Sequence, residues 1–173
     1  LFEKENKMHS GTRSYITVYD YTQAEFEGLE RGTNIHDSDF FEDVVPHRKE
    51  WGEVNHIELD DLEYDPWNQQ LSFSCQTKWH GPVNWLRAAS CTEFFTNRLM
   101  TMATITRDET NVDAVAVIDR DLLQDRNLVQ LESETVGAMY ENDEVDELDH
   151  LLWDPINEFN KECEELYLVS EGE

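Results

Sequence analysis

The chain has 173 residues, with 39 Asp or Glu against 13 Lys or Arg, for a formal net charge of −26. Such a polyanion does not hold nucleic acid through phosphate contacts, which need cations to displace counterions, and anionic membrane surfaces repel it. Its 39% hydrophobic and 11% aromatic content, with five Trp, is too apolar for a solvated tail, so a single domain over 1–173 is expected.

Residues 14–19 (Ser-Tyr-Ile-Thr-Val-Tyr) are β-branched and aromatic and predict the first strand, with 1–13 as a flexible lead-in. Thr22 followed by Glu25 is a capping box opening a helix to about Arg31, closed by Gly32. Residues 37–45 read as one or two acidic helical turns before Pro46. Over 53–64, Val54, His56 or Ile57, Leu59 and Leu62 alternate with acids. Asp65-Pro66-Trp67-Asn68 then makes a turn, and 70–79 returns with Leu71, Phe73 and Cys75 on one face.

Gly81-Pro82 starts a helix in which Val83, Leu86 and Ala89 or Ser90 share a side. Residues 97–106 and 112–118 predict a second hairpin around a turn at 107–111, and 127–133 a further strand. The remainder reads as two helical pieces. Asp143–Trp153 carries Val145, Leu148 and Leu151 or Leu152 at core spacing. Asp154-Pro155 then caps a second piece bearing Ile156, Phe159, Cys163, Leu166 and Tyr167. This order predicts an α+β fold: an antiparallel, ferredoxin-like sheet over 14–135, helices on one face, and an acidic helical segment over 136–173.

The run Leu71-Ser-Phe-Ser-Cys-Gln-Thr-Lys-Trp-His-Gly-Pro-Val-Asn-Trp-Leu, with the hairpin that follows it, resembles part of the phage- and plasmid-encoded YubB-like family. The likeness covers about residues 71–119 and lacks that family's Trp-Cys-containing opening strand. It implies a ferredoxin-like sheet and a mobile-element origin, and implies no activity.

The charge is concentrated. Residues 20–65 carry 15 acids against three bases and 132–173 carry 15 against Lys161 alone, whereas 66–131 carry seven against six. A surface adapted to high salt would be acidic throughout. Folding works against this self-repulsion, so the two blocks call for an explanation. In the second, Asp143, Glu144, Asp146 and Glu147 crowd one segment, and Glu158, Glu162 and Glu165 recur at i, i+4 and i+7. Like charges at that spacing cost a helix roughly 0.2–0.5 kcal/mol per pair. They also set a carboxylate about every 6 Å along the axis, comparable with neighbouring phosphates on a nucleic-acid strand. In the first block, Asp60, Asp61, Glu63 and Asp65 lie on one strand and its turn, with Trp67 beside them as an anchor for a partner.

Two acidic rows on a folded body resemble the charge design of phage proteins that mimic DNA to block restriction or CRISPR machinery. The expected partner is a basic DNA- or RNA-binding protein of the host, and the expected role is inhibition without catalysis, cofactor or metal. An acidic adaptor that leaves nucleic acid bound is the competing reading. Gln76-Thr77-Lys78 after Asp60, Asp61 and Asp65 faintly resembles a metal-dependent nuclease core, with Gln in place of the usual carboxylate. No run of about 18 apolar residues and no leader-like opening is present, which predicts a soluble, cytoplasmic protein. Cys75, Cys91 and Cys163 specify no disulfide framework or zinc knuckle. The oligomeric state stays open between monomer and dimer.

Overall fold

The computed structural model describes residues 11–106 and 110–168. Strand β1 (Thr12–Val18) is followed by helices α1 (Gln23–Gly32) and α2 (Asp39–Val44) and a 3-10 turn (Arg48–Trp51). Strands β2 (Glu58–Asp65) and β3 (Gln70–Thr77) form the first hairpin, and α3 (Val83–Ala89) leads to β4 (Met100–Thr106), β5 (Asn111–Ile118) and β6 (Asp121–Gln130). Helices α4 (Ser133–Glu141) and α5 (Val145–Tyr167) complete the fold. The predicted 107–111 turn lies largely outside the described residues.

The strands join in one six-stranded sheet, in the order β2-β3-β1-β4-β5-β6, with every neighbouring pair antiparallel. The fold is therefore α+β, as its order of elements implied. β1 and β2 run the same way with β3 between them, and β3 and β4 run the same way with β1 between them. Each such pair needs a crossover, and α1 with α2 supplies the first while α3 supplies the second.

Strict alternation along β1 and β3 produces two unlike faces. Ile16, Val18, Leu71, Phe73 and Cys75 face α1–α3 in the main core, which continues through Met100, Met102, Val115 and Val117. At its centre Trp85 is fully buried among Phe40, Phe41 and Phe73, with ring centroids 5.0–6.4 Å away. Its indole N–H donates to the Phe41 carbonyl at 2.9 Å, which satisfies the one polar atom such a site must accommodate. On the opposite face Ala103, Val112, Ala114 and Ala116 are small or β-branched and admit α4 and α5.

The structure thus corrects the expectation of helices on one face: α1–α3 cover one side and α4–α5 the other. The reason lies in β5, where both residue sets, 112/114/116 and 115/117, are apolar and buried, so neither side can be left to water. A second correction concerns β6, which starts at Asp121, six residues before the expected strand. It is reached through a two-residue turn in which Asp119 (φ 45°) and Arg120 (φ 76°) both adopt left-handed backbone without glycine. Bonds from outside hold this turn: Asp119 accepts from the Asn97 amide and the Thr96 hydroxyl, and Arg120 N–H donates to Ser90.

The third correction is α5 itself. Asp154-Pro155 does not divide two helices; a single 23-residue helix runs through Pro155. Proline in a helix interior costs roughly 3 kcal/mol. Leu148, Leu152, Ile156, Phe159 and Cys163 lie on one continuous buried stripe. Burying each large apolar side chain is worth about 1.5–3 kcal/mol, so packing on the sheet outweighs the missing hydrogen bond.

Candidate partner-binding surfaces

Helix α5 separates its residues by what each direction meets. The buried stripe faces β4–β6. At 3.6 residues per turn, Glu147, Asp154, Glu158, Glu162 and Glu165 fall on one outer flank. All are exposed except Glu162, which is half-buried. The last of these acids lies 18 residues beyond the first, a stripe of about 27 Å. Glu162 pairs with Arg126 of β6 at 2.8 Å, and Asp154 lies 3.6 Å from His150. Among the described residues no other acid of α4 or α5 is in an ion pair. Burial, and then the charge of Glu165, raise the Glu164 carboxyl above its ordinary range.

Asp146 lies about 100° round the helix from Glu147 and is off this stripe. Asp143 and Glu144 stand at the α4–α5 junction, where Asp143 takes left-handed backbone (φ 57°) and the Glu144 amide donates to the Met139 carbonyl. Asp154 belongs to the stripe, although Asp154-Pro155 reads in the sequence as a break between helices. With Pro155 inside the helix, Asp154 falls seven residues after Glu147 and four before Glu158.

The first acidic block is used differently. Asp60 is held by Arg13 at 3.1 Å and by the Gln76 carboxamide at 3.0 Å. Asp65 accepts from the amides of Trp67 and Asn68 and from the Asn68 side chain, bonds that hold its carboxyl below the usual range and shape the β2–β3 turn. Glu25 closes the α1 capping box and grips Arg98 through two oxygens. Asp37 and Asp43 fasten the loop before α2 through Asn34. Asp61 and Glu63, the other two acids expected on β2, have no described cation within ion-pair distance.

The two expected rows consequently belong to different parts of the fold, one on strand β2 and the other on α5, which packs over β4–β6. β2 and β6 are the edge strands, separated by five interstrand spacings or about 24 Å. Trp67 projects from the β2–β3 turn at 93% exposure, and Trp79 is also exposed. Trp51 and Trp85 are core, and Trp153 packs edge-on against Tyr15 at 4.6 Å.

Between α5 and the uncovered face of β1, β3 and β2 runs a groove of about 300 Å³. It arises because α5 packs over β4–β6, while the second face of β3 is polar throughout: Gln70, Ser72, Ser74 and Gln76. Asp61 and Glu63 line one side of it.

The arrangement suggested for metal-dependent cleavage is assembled otherwise. Gln76 serves Asp60, and Lys78 is exposed beyond the end of β3. Among the described residues no three His, Cys, Asp or Glu side chains converge as a metal site requires. Cys75 is fully buried with its thiol pushed well up by desolvation, and burial pushes Cys163 up to about 11. No described helix is long and apolar enough to cross a membrane. The chain matches no protein-family model, no curated protein and no solved structure.

Proposed function

We propose that this chain is an acidic decoy of phage or mobile-element origin that occupies the nucleic-acid groove of a basic host protein. The observation that carries the reading is the outer flank of α5. Five carboxylates from Glu147 to Glu165 span about 27 Å in intervals of about 10.5, 6, 6 and 4.5 Å, with a mean near twice the ~3.4 Å axial rise per phosphate on one strand. A groove that spaces its Lys and Arg for phosphates meets these carboxylates at intervals of about one to three phosphate rises. The buried Leu148–Cys163 stripe fixes the flank to the sheet, so the charges are held before the partner arrives. Steering by −26 charges speeds the encounter, and added salt weakens it.

The test is displacement of labelled DNA from a basic nucleic-acid-binding partner. Replacing Glu147, Glu158 and Glu165 together by Lys should raise the half-displacing concentration at least tenfold with the circular dichroism spectrum unchanged. Full displacement by that variant removes α5 as the mimic surface. The adaptor reading is favoured by one feature, the exposed Trp67 among acids, since Trp is enriched among binding hot spots. An adaptor forms a ternary complex with partner and DNA, whereas a decoy expels the DNA.

A ferredoxin-like core belongs to the same proposal. The order β-α-β-β-α-β, with β2-β3-β1-β4 adjacent in the sheet, supports it, and β5 and β6 then extend that core to carry α4 and α5.

A further inference from the structure

We propose that the groove between α5 and the uncovered sheet face is a receptor for an arginine side chain of the partner, a claim that rests on the partner being a basic protein.

The two walls of the groove differ in chemistry. On β2, Asp61 and Glu63 stand two residues apart on the same face, opposite Ser74 and Ser72 in register. That places the carboxylates about 6.8 Å from each other along the strand. On α5 the facing side carries Trp153, Asn157 and Asn160. These residues are neutral in a helix whose outer flank is a row of acids. Tyr15, in edge contact with Trp153, adds a second ring.

A free phosphate or a nucleic-acid backbone is repelled by the Asp61–Glu63 wall. A guanidinium fits both walls. It carries five N–H donors and no acceptor, pairs with carboxylates through two parallel bonds, and stacks on aromatic rings. The carboxamide oxygens of Asn157 and Asn160 provide further acceptors across the groove. A lysine ammonium offers three donors around a point and has no plane to lay against Trp153 or Tyr15. Charge complementarity adds to the fit, because Arg13, the nearby cation on β1, is already committed to Asp60. The groove would therefore hold one arginine firmly while the α5 flank meets the partner's remaining cations along its length.

The experiment is an NMR titration of the full chain with N-acetyl-arginine amide, its lysine and citrulline counterparts, and glucose, following the Trp153 indole N–H and the Asn157 and Asn160 side-chain amides. The arginine probe should shift these signals saturably, with the lysine probe at least threefold weaker and the uncharged citrulline at least tenfold weaker. The double variant D61N/E63Q should lose at least tenfold in arginine affinity while keeping the native spectrum, and E30Q on α1 should stay within twofold of the parent. Equal binding of citrulline, shifts of the same signals by glucose, or an unchanged response in D61N/E63Q would overturn the assignment. The titration needs no partner, so its failure is separable from failure of the decoy reading. Intact arginine binding without DNA displacement removes the decoy and leaves the groove, and the reverse removes the groove alone.

Discussion

Glu25 carries two structural duties at once. Its carboxylate closes the capping box with Thr22 and binds Arg98 near the start of β4 at 2.9–3.0 Å. Glu25→Ala should therefore cost about 2 kcal/mol in urea denaturation, the sum expected of a lost cap and a lost charge-assisted bond. Asp65 is the second residue of this kind. Its carboxyl is held below the ordinary range by bonds from Asn68 and Trp67, so its contribution is present above about pH 3.8 and lost as pH falls through its folded value. Asp65→Ala should leave the global fold intact and speed hydrogen exchange at the Trp67 and Asn68 amides. Trp85 is the residue with most at stake in the core. Trp85→Ala removes a fully buried ring from the aromatic cluster and should cost about 3–5 kcal/mol, read from the same urea midpoints.

Among the elements, α5 is the one whose local sequence and tertiary packing disagree. Restoring the missing backbone donor with Pro155→Ala should raise stability by about 1–3 kcal/mol, with helix content unchanged or slightly higher by circular dichroism. A fall in stability would mean that the helix needs a bend at that point. The β5–β6 connection shows the same tension at a turn. Asp119 and Arg120 lack the glycine signature of their turn, and bonds from Thr96, Asn97 and Ser90 hold it in place. These partners are 22 to 30 residues distant, so no local window of sequence contains the reason for the turn.

Across the whole molecule, charge opposes compaction. The raised carboxyl of Glu164 binds its proton more tightly in the folded than in the unfolded chain, so its ionisation disfavours folding. The stability it contributes is present at low pH and lost as pH rises from about 4.5 through the folded value. Asp65 acts in the opposite sense, but only below about pH 3.8. The thermal midpoint should thus rise as pH is lowered through the range just above 4.5, and fall again on further acidification as paired carboxylates protonate. Added sodium chloride at pH 7 should also raise the midpoint, because screening weakens the repulsion among the acids of 132–168. A midpoint insensitive to both would show that the acids are too dispersed to repel one another appreciably.

Alternation along β1 and β3, the Thr22–Glu25 box, the acidic β2 hairpin and the apolar period of α5 were all legible in the chain, because each depends on residues within a few positions of one another. The α+β class followed from their order. What the tertiary structure alone decided was where those pieces face. β5 is apolar on both sides, so helices gather on both faces of the sheet, and that arrangement carries α5 through its proline. It also leaves half of one face uncovered beside Asp61 and Glu63. Which acids are occupied and which are free is likewise a long-range matter. Asp60 meets Arg13 across the sheet and Glu162 meets Arg126 of β6, whereas Glu147, Glu158 and Glu165 face water, and a list of charges along a chain does not contain the distances between strands.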